Sequence, residues 1–259
     1  MKPAQARVLI TGASGGIGRA MVAALQQAGA QVLGVSRTPQ RDAPDLRWVQ
    51  ADLGTAEGIE RVVRAAGSWG ANIVIHAAGL PGFGALSQLT PAQMQSVLTA
   101  NLLAPMQLTQ ALLPQLLRQP QAQLIFVGSA LGRIGLPGFS LYTASKAGLH
   151  GFAEALRREL ADTTVQVQLL APRSTRTAFN DPAAEAYNRA TGTACDSPER
   201  VARDLLQLIE SEASERYIGW PERLGVRLNG AFPPLLDGSF KKHRRQLKAA
   251  TTTTEGVTS

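Results

Sequence analysis

Tyr142-Thr143-Ala144-Ser145-Lys146 sets a phenol and an ammonium four residues apart. On a helix, positions i and i+4 share one face. A free tyrosine has a pKa of about 10, and a neighbouring ammonium favours tyrosinate and lowers that value. A phenol tuned toward neutral pH donates a proton to a carbonyl oxygen or removes one from an alcohol. The bland alternative is a solvated helix pair. Two more polar residues stand upstream. Ser129 lies thirteen residues before Tyr142, and Asn101 opens Asn101-Leu102-Leu103-Ala104-Pro105. Each alone also reads as local structure, the serine as a strand-end cap and the asparagine as a satisfier of a helix kink.

A second chemistry-bearing stretch lies near the start: Thr11-Gly12-Ala13-Ser14-Gly15-Gly16-Ile17-Gly18. Glycines at these positions permit a tight turn and close backbone approach to a pyrophosphate. A helix opening there offers free N–H groups and positive dipole to the anion. The segment falls between a predicted strand and a predicted helix, the context such a motif requires.

The elements that must position these groups alternate. Candidate strands are Arg7–Thr11, Gln31–Ser36, Arg47–Ala51, Asn72–Ala77, Gln123–Gly128, Val165–Ala171 and Arg216–Trp220. Several are apolar throughout, as in strands buried on both faces of a parallel sheet. Ile17, Met21, Leu25 and Ala28 fall at helical spacing, with Gly29 as a stop. Further helices fit 55–66, 91–117, 142–161 and 198–212, the second kinked or broken by Pro105 and Pro114. Ser197-Pro198-Glu199 reads as an N-cap, a proline in the first turn and an early acid. The pattern predicts an α/β fold, a doubly wound parallel sheet of about seven strands with helices on both faces. Residues 1–220 read as one catalytic domain, 221–250 as an amphipathic basic extension and 251–259 as a disordered tail.

Composition narrows the class. The 259 residues are 44% hydrophobic and 17% charged, enough for a sizeable core. No apolar run reaches the roughly 18 residues of a membrane span. A strand already at residue 7 leaves no room for a cleaved leader. One cysteine, Cys195, excludes an internal disulfide and suits the cytoplasm; it reads as a small loop or core residue. Much of the net charge of +7 sits at Lys241, Lys242, Arg244, Arg245 and Lys248. Aromatics are 5%, too few to interleave with cations along a nucleic-acid surface. No metal-ligand cluster stands out.

The spacing T-G-x-x-x-G-x-G, with Ser129, Tyr142 and Lys146 in order behind it, resembles the short-chain dehydrogenase/reductase family over roughly residues 5–220. That resemblance implies a Rossmann-type domain binding NAD or NADP through Gly12, Ser14, Gly15, Gly16, Ile17 and Gly18. It implies that Asp52 and Leu53 meet the adenine, and that Ala78 and Gly79 keep a close backbone approach. His76 and Ala77 depart from the usual Asn-Asn, and His76 reads as a satisfied buried histidine. The resemblance assigns catalysis to Asn101, Ser129, Tyr142 and Lys146: the serine holds the substrate oxygen and the asparagine supports a water-linked proton relay through the lysine. An oxidised nicotinamide would add positive charge near the phenol. Pro172 and Thr177 should border the carboxamide, while Arg173 replaces a glycine and reaches either cofactor phosphates or substrate, or is structural. At the end of the second strand stands Arg37, where an acid would meet a ribose 2′-hydroxyl. An arginine suits a 2′-phosphate, which favours NADP(H) over NAD(H).

The substrate end is less patterned. Residues 178–196, with Phe179, Asn180, Tyr187 and Arg189, read as a lid or an ordinary loop. Phe83, Leu131, Ile134, Leu136 and Phe139 make the expected pocket apolar. Residues 221–248 alternate Leu224, Val226, Leu228, Phe232, Leu235, Leu236 and Phe240 with Arg223, Arg227, Lys241 and Lys242. They either touch an anionic membrane or an acidic carrier protein, or pack on their own domain or a second subunit. The leading functional reading is an NADPH-dependent carbonyl reductase, with a 3-oxoacyl group on a carrier or coenzyme A as a candidate substrate. An NAD-linked hydroxysteroid or other secondary-alcohol dehydrogenase is the alternative. A silent NADP(H)-sensing protein is the alternative from another class. The resemblance also implies a homodimer or homotetramer.

Overall fold

The computed structural model describes residues 1–231, 234 and 237–255. Phe232, Leu235 and Leu236 lie outside the described residues. Seven strands, β1 (Arg7–Thr11), β2 (Gln31–Ser36), β3 (Leu46–Gln50), β4 (Ile73–His76), β5 (Ala122–Val127), β6 (Val165–Ala171) and β7 (Glu215–Tyr217), form one parallel sheet in the order β3-β2-β1-β4-β5-β6-β7. The apolar runs have the reason expected. In β1, Leu9 faces one layer while Val8 and Ile10 face the other, and all three are fully buried. Helices α1 (Gly16–Gln27) and α7 (Pro198–Ser211) cover one face through Met21, Leu25, Leu205 and Leu208. Helices α2 (Ala56–Trp69), α4 (Ala104–Leu116) and α5 (Ser140–Glu159) cover the other through Val62, Leu108, Leu112 and Leu149.

Helix ends follow side-chain chemistry. Thr55 accepts from the Gly58 N–H at the start of α2, and Ser197 accepts from Arg200 N–H at the start of α7. The stretch read as one kinked helix over 91–117 is α3 (Pro91–Leu98), a π turn (Thr99–Leu103) and α4. Pro105 has no N–H to give the Asn101 carbonyl. The chain accommodates this by winding wider, with the Ala104 N–H bonding Thr99 O five residues back.

The unpatterned stretch 178–196 contains α6 (Pro182–Thr191), with Asp181 capping Ala184 N–H and Gly192 closing the other end at φ 76°. The last strand ends at Tyr217 rather than Trp220, because Gly219 turns the chain at φ 101° and Trp220 opens α8 (Trp220–Ala231). A short 3-10 turn (Asp237–Phe240) then leads into α9 (Lys241–Glu255), which packs on α6. The helix runs five residues into the stretch read as disordered; 256–259 lie outside the described residues. Among the described residues no helix is long and apolar enough to cross a membrane.

Candidate active site

All the crossovers leave from the same edge of the sheet, so the loops after β1, β2, β4, β5 and β6 gather around one cleft of about 960 Å³. Every residue expected to have a catalytic or cofactor-binding role lines it except Asn101.

At the cofactor end, β1 stops in a turn that needs glycine. Gly12 sits at φ 67°, and a Cβ there would come within 2.7 Å of Ala78 Cα; one on Gly18 would come within 2.1 Å of Gly12 O. The turn closes through Gly15 N–H on Gly12 O at 3.0 Å, and the first helical bond is Arg19 N–H on Gly15 O at 2.8 Å. The N–H groups of the first turn of α1 therefore have no partner within the helix and face the cleft. This cradle, beside a cleft long enough to reach Tyr142, fits the pyrophosphate of a dinucleotide. Thr11, which sequence reasoning left unassigned, fixes the next loop: its hydroxyl accepts the Ala77 and Ala78 N–H groups, each at 3.1 Å.

At the end of β2, Arg37 is exposed on the cleft, next to a chain of hydroxyls: Ser14 to Ser36 at 3.0 Å and Ser36 to Thr38 at 3.2 Å. The nearest acid in sequence, Asp42, is engaged elsewhere and accepts Trp48 N–H at 2.9 Å. Asp52 accepts Gly54 N–H at 2.9 Å in the turn after β3.

At the chemical end, Ser129 follows β5 and Tyr142 and Lys146 lie one turn apart on α5. The Ser129 hydroxyl lies by Tyr142 and favours its ionised form, and it accepts Leu131 N–H at 3.1 Å. Lys146 is buried, donates to Val127 O at 2.9 Å and lies 5.8 Å from the centre of the Tyr142 ring. Burial pushes Tyr142 up to about 12, and Ser129 pulls it back only in part. This overturns the expectation that the ammonium lowers it. Burial acts on the lysine as well and holds Lys146 down at about 8, so the protein alone keeps the phenol protonated.

Asn101 is wholly buried behind the cleft. Its carbonyl takes Leu80 N–H at 2.7 Å, and its amide donates to Leu80 O and to Ser145, both at 3.0 Å. Ser145 in turn donates to Tyr142 O at 2.7 Å. A Cβ on Gly79 would stand 3.0 Å from Asn101 Oδ1 and 3.8 Å from Lys146 Nζ, so both side chains close on one backbone position. His76 is the satisfied histidine expected: it stacks on Phe126 at 4.9 Å, shares a hydrogen bond with Thr109 at 2.9 Å, and burial pushes it down to about 3.

Arg173 turns to Asp196, with two bonds at 2.9 and 3.0 Å. Thr175 and Asp196 form a parallel bridge, so the chain leaves and returns at one point, holding α6 as a loop-borne flap over the cleft. Phe83, Phe139 and Tyr187 cluster with ring centres 5.0 to 5.8 Å apart, and Phe179 meets the Tyr142 ring at 6.1 Å. Tyr187 is buried and donates to Pro137 O, while Arg189 points to Glu185 at 3.7 Å. Phe240 and His243 also line this end: the C-terminal segment packs on its own domain, one of the alternatives left open by the sequence, and brings these two residues to the cleft.

The short chain dehydrogenase family model matches residues 6–188, from β1 through most of α6. The chain is 33% identical over 187 residues to an uncharacterized oxidoreductase, YbbO, of Escherichia coli K12, covering 70% of each protein. It is 32% identical over 174 residues to the 3-oxoacyl-[acyl-carrier-protein] reductase FabG of Vibrio cholerae, covering 63% of this chain and 71% of that protein. A short chain dehydrogenase from Burkholderia cenocepacia, solved in complex with NADP, superposes with a TM-score of 0.81 at 23% identity, over 93% of this chain and 99% of that one. Family match, relatives and fold agree with the cleft, and the chain belongs to the short-chain dehydrogenases, oxidoreductases that work between an alcohol and a carbonyl.

Proposed function

We propose that this chain is an NADPH-dependent carbonyl reductase for ketones with an extended apolar body, 3-oxoacyl thioesters foremost. One observation carries the reading: Ser129, Tyr142 and Lys146 converge in the same cleft as the glycine turn and Arg37. Bound nicotinamide supplies the hydride to the carbonyl carbon. Ser129 holds the oxygen and favours the charge that develops there. Tyr142, kept protonated by burial, gives its proton to that oxygen, and Lys146 beneath it offers the proton that replaces it. Arg37, with the hydroxyls of Ser14, Ser36 and Thr38, supplies donors for a 2′-phosphate, and the absence of a carboxylate among these four supports NADPH over NADH. The aromatic walls Phe83, Phe139 and Phe179 support an apolar substrate body.

The test is oxidation of NADPH and of NADH by purified protein against 3-oxoacyl thioesters, steroids, quinones and aromatic aldehydes. Turnover with NADPH, lost in Tyr142→Phe, is expected. Arg37→Asp is expected to shift preference toward NADH by about tenfold or more, the loss of one charge-assisted phosphate contact. Preference of the unaltered protein for NADH would instead favour an NAD-linked alcohol dehydrogenase. Saturable NADPH binding without turnover on any substrate would favour a sensor.

A further inference from the structure

Between Asp237 and Glu255 the sequence has five Lys and Arg residues and no acid. Wound into α9, they sort by face. Phe240, His243, Gln246 and Leu247 are shielded, whereas Lys241, Lys242, Arg244, Arg245 and Lys248 are exposed. The shielded stripe packs inward: His243 stacks near Tyr187 at 5.9 Å and Phe240 at 5.6 Å, and Leu247 lies over Gly138. Phe240 and His243 line the cleft, so α9 roofs its substrate end and turns its cations outward. Gly225 of α8 lines the same end, and one turn later Leu228 is 48% exposed beside exposed Arg227. Phe179, at the root of the α6 flap, is exposed as well.

We propose that this face docks on an anionic lipid bilayer, with the cations on headgroup phosphates and Leu228 and Phe179 entering the apolar boundary. The cleft then opens at the membrane surface, where an apolar substrate is dissolved. Cations beside exposed apolar groups, at the mouth of an apolar chamber, favour a bilayer over other polyanions. Nucleic acid or an acidic protein would satisfy the charges but offer no apolar phase to Leu228 and Phe179.

The experiment is co-sedimentation of the full chain with vesicles of phosphatidylcholine alone and of phosphatidylcholine mixed with phosphatidylglycerol. Binding to the mixed vesicles, absence from the neutral ones and release in high salt are expected. Each cation near an anionic surface is worth about fivefold in partitioning, so reversing Lys241, Lys242 and Arg245 to Glu together should cut binding by about a hundredfold or more. Thermal melting and NADPH affinity should stay unchanged. Leu228→Ser should weaken vesicle binding a few-fold. Sedimentation indifferent to headgroup charge, none with anionic vesicles, or full binding by the triple variant would overturn the proposal. So would preference for duplex DNA over vesicles. Vesicle binding is read without turnover, so its failure and the failure of the reductase reading are distinguishable.

Discussion

Tyr142 and Lys146 are both pushed by burial toward their neutral forms, the phenol up to about 12 and the amine down to about 8. For the tyrosine this secures the proton donor. Tyr142→Phe removes the donor with little change in shape, and turnover is expected to fall by about 10²- to 10⁴-fold while NADPH affinity, read by fluorescence titration, is kept. For the lysine the burial costs stability. Its folded value lies below its unfolded one, so below about pH 8 both states carry the proton and the cost is full. Between that point and the unfolded value near 10.5 the folded protein releases its proton first, and stability rises with pH. Lys146→Met should therefore be inactive yet more stable at pH 7, by about 1–3 kcal/mol in denaturant unfolding, with the advantage shrinking as pH rises through that window. A difference that stayed flat with pH would show that Lys146 is not the group responsible. The sequence made the pair legible because a helix puts i and i+4 together. It did not make the direction of the tyrosine shift legible, since that depends on how deeply the two side chains lie.

Elements hold these residues through a few specific contacts. Gly18 packs α1 onto the turn after β1 so closely that Gly18→Ala must displace Gly12 O; a loss of about 2–4 kcal/mol and of cofactor binding is expected, measured by thermal melting and NADPH titration. Asp181 caps α6 on the Ala184 N–H at 2.7 Å. Asp181→Ala should cost about 1 kcal/mol. The change is local, so amide exchange in 182–191 should quicken and KM for the carbonyl should rise, while NADPH affinity holds. The helix was legible in principle: Asp181-Pro182 followed by Glu185 is the same signal that correctly placed α7 at Ser197-Pro198-Glu199. What hid it was a weak apolar stripe, with only Ala184 and Tyr187 buried in ten residues. The break at Pro105 was legible from the missing N–H. Its form, a π turn that sinks Asn101 behind the cleft, was not, because it depends on Leu80 and Ser145 reaching the same amide.

Over the whole molecule, the sheet was legible because seven apolar runs separated by helical stretches permit few right-handed arrangements. The C-terminal roof was not, since one amphipathic sequence suits a domain's own core, a second subunit and a lipid surface equally. The sheet order has a kinetic consequence. β1 lies between β2 and β4, with Val8 beside Ile73 in a strand made sixty-five residues later, and α1 packs on α7 from the far end of the chain. Few of these pairings close short loops, so folding should be slow for the chain's length. Until β4 is synthesised, the inner edge of β1 offers unpaired N–H and C=O groups flanked by Val8, Leu9 and Ile10, a template for association between nascent chains. A fragment ending at Trp69 should accordingly aggregate rather than fold, and recovery of the full chain from denaturant should fall as protein concentration rises. The strand that gives the cofactor its turn is thus also the one most exposed to wrong partners during synthesis.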